Sequence, residues 1–465
     1  MKVLLVGNIA NNSYLIAKFL RRRGIEADLL IYDYKHIMGQ PEWEDGVFEE
    51  LVDEFNPDLS KVENFSLPDW VTRISLADIS LTDEDKKTII DRIFNLMMLS
   101  LYYVFARPLR LAKSNWYNAR LADMWKIKSA VDNRMFAFKF KKRFMPLVKE
   151  FKTYFADRCP QLNLEDISTY YGYPSILSTL WKEYDLLHLA DVNPMYGLID
   201  GTKPYVAFEH GTLRDIPFED SARGRLLSLA YKKARKVIIT NCDCIRSAKS
   251  LNLDNYVFIP HPIDDEKFHP RASNLRKDFE EKYNANFIIF FPARQSYDIK
   301  GTDQALKAFG EFIRRYPKSL LIISQWGEDK DNAELLIREL GIESHVHKIS
   351  PLTRLQLVEY YNMADVVFDQ FTIGAFGTTT PEALSCGKPL FLYLDESVHR
   401  WAFSEMPPVI NVSSDEEIFK ALIKCRENAQ YVKDLSIASR LWIKKYHGWK
   451  TVTDCLIKVY EEALK

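Results

Sequence analysis

The residues best placed to do chemistry lie in FDQFTIGAFGTTTPEALSCGKPLFLYLD, from Phe368 to Asp395. An apolar strand runs into a glycine-containing loop. The loop opens a short helix carrying one carboxylate, Glu382, and a Gly-Lys-Pro turn feeds a second apolar strand. Such a junction turns backbone N–H groups and the positive end of a helix dipole towards an anion. A carboxylate one turn into the helix can accept hydrogen bonds from sugar hydroxyls. Together they suit a nucleotide sugar, with Gly377 and Thr378 on the diphosphate and Glu382 on the ribose. The plainer alternative for Glu382 is an acidic residue favouring a helix N-terminus, worth under about 1 kcal/mol. Two cations upstream fit the same ligand. Arg294 ends the strand NFIIFFPAR and Lys300 lies in the next loop. There they can neutralise a diphosphate and, as its bond to the sugar breaks, the growing charge of the leaving group. A surface ion pair near a helix start is the alternative.

The elements that must position these residues read as two alternating α/β units. KVLLVG (Lys2 to Gly7) is a buried parallel strand, Ser13 to Arg23 has helical spacing of apolar residues, and Ala27 to Tyr32 is the next strand. After a long interruption, strands resume at YDLLHLAD, PYVAFEHG and KVIITN, with a helix at Gly224 to Ala234. A helical insertion is expected at roughly 82–158. YVFIPHPIDDEKFHP (Tyr256 to Pro270) has no helical period and reads as a linker. A second alternation follows, with strands NFIIFFPAR, SLLIISQ, HVHKISP, VVFDQ, PLFLYLD and PVINV and helices such as Thr302 to Arg315 and Asn332 to Leu340. The pieces Asp415 to Tyr446 and Trp449 to Leu464 are expected to be helical. The expected fold class is α/β, with two Rossmann-like doubly wound domains, 1–265 and 266–445, facing across a cleft, and a last helix at 446–465. Ligands bind at the C-terminal edges of such sheets.

The chain of 465 residues is long enough for two full cores. A net charge of −1 argues against a general nucleic-acid binder. The six cysteines are scattered and form no C-x-x-C pair, which suggests neither a zinc site nor a disulfide framework and fits a reducing cytoplasm. MKVLLVGNIANN turns polar too soon for a signal peptide, and no run of about 18 apolar residues occurs. Charge is unevenly spread. Glu42 to Asp91 holds 15 acidic and 4 basic residues, whereas Phe105 to Lys152 holds 13 basic and 3 acidic. The two blocks can face each other, or the basic one can face something anionic.

In order and spacing, the chain resembles retaining GT-B glycosyltransferases of the family 4 type. FIPHPIDDEKFHP is similar to the family's interdomain strand and turn, PARQSYDIKGTDQALKAF to its Arg and Lys segment, and WKTVTDCLIKVYEEAL to its terminal helix that crosses back to the first domain. The resemblance implies that Arg294 and Lys300 hold the diphosphate and that Glu382 is the second Glu of an E-x7-E motif. The first Glu is replaced by Gly374, which leaves backbone N–H groups but no carboxylate near the donor sugar. His210 matches the family's His close to that sugar, where a neutral imidazole could bond a hydroxyl or the transferring oxygen. A His packed at a strand end is its plainer reading. Gly7 matches the loop that reaches the donor phosphate, or is a turn glycine. The base is expected near Ile349 to Leu352, at Ser350.

The implied activity is transfer of a sugar, with retention, from a nucleoside-diphosphate sugar to a hydroxyl acceptor on a glycan, a lipid-linked carrier or a small molecule. No cofactor and no essential metal are implied. Two rivals stay open. One is a GT-B nucleotide-sugar epimerase or hydrolase, and the other a catalytically silent nucleotide-sugar-binding protein, kept in play by Gly374. DED at 83–85 looks like a metal-binding Asp-x-Asp, but acidic residues in a first helical turn after Thr82 explain it better. His345 and His347 read as surface or core residues. Ile93 to Phe105 is apolar and precedes basic and aromatic residues up to KFKKRF at 139–144. A solvated helical subdomain is the first reading, and peripheral contact of 93–152 with the anionic inner membrane face is the second. Arg214 could add to an acceptor or phosphate site.

Overall fold

The computed structural model describes residues 1–32, 36–48, 55, 57–75 and 136–465. The first sheet contains β1 (Lys2–Val6), β2 (Glu26–Tyr32), β3 (Val71–Ile74), β4 (Leu186–Ala190), β5 (Tyr205–Phe208), β6 (Lys236–Ile239) and β7 (Tyr256–Phe258). Their order is β3-β2-β1-β4-β5-β6-β7, all parallel. The second sheet contains β8 (Phe287–Phe291), β9 (Ser319–Ser324), β10 (Val346–Ile349), β11 (Val366–Phe368), β12 (Leu390–Leu392) and β13 (Ile410–Asn411). It runs β10-β9-β8-β11-β12-β13, again parallel. In both sheets the order reverses beside the first strand, β1 or β8, which makes a crevice at the C-terminal strand ends.

The central strands are apolar at successive positions because helices cover both faces. FIIFF of β8 and SLLIIS of β9 are buried throughout. Each sheet therefore sits between two apolar clusters. On one side of the first sheet, Val3, Leu5 and Leu186 meet α1 (Asn12–Arg22). On the other, Leu187, Leu189 and Ala207 meet Phe144 and Phe151. Those two phenylalanines lie on a helix over 136–154. Phe136, Phe140, Phe144 and Phe151 line its inner side at helical spacing, and Phe155 follows just past its end. Of the insertion expected at 82–158, the residues from 136 onwards thus pack on the first core. DED at 83–85 and most of the 93–152 segment lie outside the described residues.

Two expectations are corrected. The stretch read as a linker from Tyr256 begins with β7, the edge strand of the first sheet. β3 lies inside what reads as a long interruption. Val71 is buried while Thr72 and Arg73 are exposed, so an edge strand of four residues leaves little apolar signal. The remaining helices used below are α2 (Pro41–Asp45), α3 (Thr302–Arg315), α4 (Arg354–Met363), α5 (Thr379–Ser385), α6 (Ala429–Tyr446) and α7 (Trp449–Ala463). The helical stretch expected from Asp415 to Tyr446 divides at Asn428, whose side chain caps α6 by accepting from Tyr431 N. Helix α7 returns to the first domain, where Val452, Leu456, Val459 and Tyr460 pack with Val3 and Leu5.

Candidate active site

The crevices of the two sheets open onto two connected cavities of about 320 and 300 Å³. Arg294, Lys300, Gly377 and Thr378 line both. These four residues come from the segments that follow β8 and β11, so parallel strand direction brings them together. Lys300 Nζ lies 2.9 Å from Asp369 Oδ1, and Asp369 also accepts from Thr380 Oγ1 at 2.7 Å. A second tie holds the backbone: Phe371 N donates to Lys300 O at 3.1 Å.

The loop between β11 and α5 is built by Gln370. Its Oε1 accepts from Thr372 N and Ile373 N, and its Nε2 donates to Ala375 O and Tyr393 O. Gly374 lies at a φ of +68°, and a Cβ there would stand 3.0 Å from Asp395 Cβ and 3.1 Å from Tyr393 Cε1. This left-handed turn is a backbone reason for glycine where the resemblance leads one to expect glutamate. Ile373, Ala375 and Phe376 line the second cavity, and Gly374 stands behind them. Gly377 faces open space, with nothing within 4 Å of a Cβ built there.

The first cavity widens from the shared residues towards Glu382. Its apolar wall includes Trp326 and Leu352 of the second domain and Met38 and Trp43 of the first. Glu382 is 2% exposed, accepts from Tyr361 Oη at 2.8 Å and pairs with Arg354. Arg354 opens α4 after Thr353, which caps that helix reciprocally with Gln356. Ser350 is exposed just past β10, and its neighbours Pro351 and Leu352 line the cavity.

The second cavity is lined by polar groups of the first domain, including Arg214, Asn241, Asp243 and His261. Glu209, with no exposed surface, anchors this wall. It accepts from Gly211 N, Thr240 N and Asn241 N and so ties the loops after β5 and β6 together. Arg214 and Asp243 form a two-pronged ion pair. That bond raises the Arg214 guanidinium, and Arg214 holds the Asp243 carboxyl down against the effect of burial. His210 stacks on His261 with ring centroids 5.6 Å apart. Burial, then His261 and His188, push the His210 imidazole well below its ordinary range. Burial brings His261 down to about 4. His210 is therefore neutral at pH 7, and its buried Nε2 has no hydrogen-bond partner among the described residues.

Gly7 is placed differently. At a φ of +85°, it packs where a Cβ would stand 2.7 Å from Asn193 Nδ2, and Asn193 donates to Ala190 O at 2.7 Å. It is the turn that closes β1, and Ala10 from the following turn reaches the first cavity. Among the described residues no group of three or more His, Cys, Asp or Glu side chains is arranged to hold a metal ion.

Sequence reasoning missed Glu44, Glu209, Arg354 and Asp369. Glu209 and Asp369 each follow an apolar strand directly, a readable signal for a C-terminal strand edge. Glu44 and Arg354 meet across the domain boundary, which no local pattern announces.

Residues 273–436 match the family described as Glycosyl transferases group 1. The architecture also aligns end to end with solved structures. Anabaena Alr3699/HepE in complex with UDP has a TM-score of 0.59 at 12% identity, covering 99% of this chain and 100% of that one. The chain has the GT-B fold. Sucrose-phosphate synthase from Thermosynechococcus elongatus shares this GT-B frame, with a TM-score of 0.57 at 10% identity over 99% of both chains. A curated relative, alpha-monoglucosyldiacylglycerol synthase of Acholeplasma laidlawii, is 27% identical over 163 residues, which are 35% of this GT-B chain and 40% of the relative. The chain thus spans less than half the length of that relative. Among the described residues no helix is long and apolar enough to cross a membrane.

Proposed function

We propose that the protein is a glycosyltransferase that moves a sugar from a nucleoside-diphosphate sugar to a hydroxyl acceptor, with retention and without an essential metal. The observation that carries this reading is the meeting of two cavities at Arg294, Lys300, Gly377 and Thr378. A diphosphate spanning that junction puts the nucleoside beside Glu382 and the sugar beside the Arg214–Asp243 pair and His261, on which His210 stacks. The bond from the sugar C1 to the diphosphate oxygen breaks, and the acceptor oxygen bonds to C1. The acceptor's proton passes to the departing phosphate oxygen, while Arg294 and Lys300 offset the charge that builds there. His210, neutral, can donate to or accept from a sugar hydroxyl. Pro351 and Leu352, next to Ser350, border the nucleobase. The Anabaena neighbour carries UDP, which supports a nucleoside diphosphate here and makes UDP-sugars the first donors to test.

The acceptor side belongs to the first domain. The outer face of helix 136–154 shows Lys141, Lys142, Lys149 and Lys152 to solvent. We read this face as part of a peripheral contact through 93–152 with the anionic side of the inner membrane, from a cytoplasmic position, where a lipid-linked acceptor would be met. A thermal-shift screen of UDP-, GDP-, ADP- and dTDP-sugars, followed by donor consumption with and without acceptor, tests the function. Stabilisation by one nucleotide class and acceptor-dependent consumption are expected. No stabilisation by any donor overturns the reading. Consumption that ignores the acceptor replaces it with an epimerase or hydrolase, and binding without consumption with the silent binding protein.

A further inference from the structure

Arg354 stands between two buried carboxylates that belong to different domains. Glu382 on α5 and Glu44 on α2 are each 2% exposed. The guanidinium meets Glu382 Oε1 through Nη1, and its Nε lies 3.5 Å from Glu44 Oε2. The other oxygen of each carboxylate is fixed, by Tyr361 Oη at 2.8 Å on Glu382 and by Lys267 Nζ at 2.7 Å on Glu44. One cation is thus shared between two acceptors, in direct contact with Glu382 and 3.5 Å from Glu44. Beside it, Gln356 Nε2 donates to Phe48 O at 3.3 Å, so the same turn of α4 already touches the first domain.

A nucleoside hydroxyl that bonds Glu382 needs the oxygen that Arg354 holds. We propose that Arg354 is a positioning residue handed from Glu382 to Glu44 when the nucleoside hydroxyls arrive, so that donor binding fastens the first domain onto the second. The inference rests on the reading of Glu382 as the ribose ligand. Charge favours a handover over expulsion. Glu44, Asp45 and Glu382 face Arg354, Lys267 and Lys18 in one cluster. Moving Arg354 to solvent would leave buried carboxylates short of a partner, which is costly, whereas moving it between them keeps the cluster balanced. The hydroxyls replace at Glu382 the hydrogen-bond donor that leaves. Trp43, next to Glu44 on α2, lines the same cavity, so tightening at Glu44 presses an aromatic wall towards the nucleoside.

Calorimetric titration of the full chain with UDP, GDP and ADP tests the handover. Glu44→Gln keeps an acceptor for Lys267 but weakens the alternative partner of Arg354. The best-bound nucleotide is expected to lose about tenfold in affinity. Adding Arg354→Met removes the competitor for Glu382 and is expected to bring affinity back to within about threefold of the wild type. Loss of packing alone would give no such recovery. Wild-type affinity in Glu44→Gln, or a double variant no better than Glu44→Gln, overturns the handover while leaving nucleotide binding intact. Should these variants melt early, Glu44→Asp keeps the charge and draws it back by one methylene. It is expected to show the same loss, and unchanged affinity there overturns the idea. A wild-type protein that binds none of the three nucleotides removes the ribose reading itself and the handover with it.

Discussion

Lys300 and Asp369 form an ion pair of 2.9 Å at the point where the two cavities join, and the carboxylate has no exposed surface. A buried pair of this kind makes the two residues interdependent, because removing one leaves the other charge without a partner. Lys300→Met is expected to lower turnover by about 10²-fold or more through loss of leaving-group stabilisation. It should also cost about 3–5 kcal/mol of stability, because Asp369 is left uncompensated. Adding Asp369→Asn should recover most of the melting temperature and none of the turnover. A double variant with wild-type turnover removes Lys300 from the chemistry. Among the described residues Arg294 has no such buried partner, so Arg294→Ala should lose turnover at a nearly unchanged melting temperature.

Restoring glutamate at position 374 should fail. The left-handed backbone there costs a residue with a side chain about 1–2 kcal/mol, and Asp395 and Tyr393 crowd the new Cβ. Gly374→Glu is expected to melt several degrees earlier than the wild type and to gain no turnover. A variant of equal stability and higher turnover would show that the loop adapts and that the missing carboxylate limits the rate.

Acid should destabilise the fold in a defined window. Burial lowers His188 to about 3 and His261 to about 4, and His447 also falls to about 4 although its Nδ1–H donates to His261 O. The unfolded chain protonates such groups near pH 6.5, and the folded chain does not. They leave stability unchanged above that pH. As the pH falls towards about 4, each removes up to about 1.4 kcal/mol per pH unit. Asp45 adds nothing in this window. Burial raises its carboxyl, but Lys267 and Lys18 outweigh that and bring it down to about 2. Denaturant midpoints at pH 7, 5.5 and 4.5 measure the fall, and a flat profile refutes the neutral-histidine account.

Turnover is expected to survive EDTA. Arg294 and Lys300 supply positive charge at the diphosphate, the role a divalent ion plays in metal-assisted transfer. Loss of activity with EDTA, restored by Mg²⁺ or Mn²⁺, would return attention to the acidic run at 83–85.

Anionic vesicles should bind the protein and neutral ones should not. Phe138 is 92% exposed beside Lys141 and Lys142, a combination suited to a charged bilayer surface. Flotation with vesicles of anionic or neutral lipid, at low and high salt, measures it. Binding is expected to weaken with salt and in Lys141→Glu/Lys142→Glu. Retention that ignores lipid charge and salt, or no retention at all, leaves a solvated helix face.

The parallel strands were legible because burial on two faces writes continuous apolar runs such as FIIFF and LLIIS. Strand β3 was not, since Thr72 and Arg73 face solvent at an edge, and β7 hid in a segment dominated by its prolines and aspartates. Arg294, Lys300, Gly377, Thr378 and Glu382 stand around one cavity, all in the segments that follow the apolar runs of β8 and β11, where a reader of one sequence can look. Gly7 could be read as phosphate loop or as turn, and its contact with Asn193 was needed to show the packing it makes. The Glu44–Arg354 contact has no local signature. It depends on how two separately patterned domains dock, and Glu44 alone reads as one more charge in an acidic block.

Helix α7 has a consequence for the order in which the molecule can be made. Val3, Leu5 and Ile16 are synthesised long before Val452, Leu456 and Tyr460, which form part of their cover. A nascent chain that has not reached Trp449 has α1 to lay over this flank of its first sheet but lacks the rest of the apolar cover. Among the described residues, the two apolar clusters of the second domain reach no further along the chain than Tyr446, so the half synthesised last can finish folding before the half synthesised first.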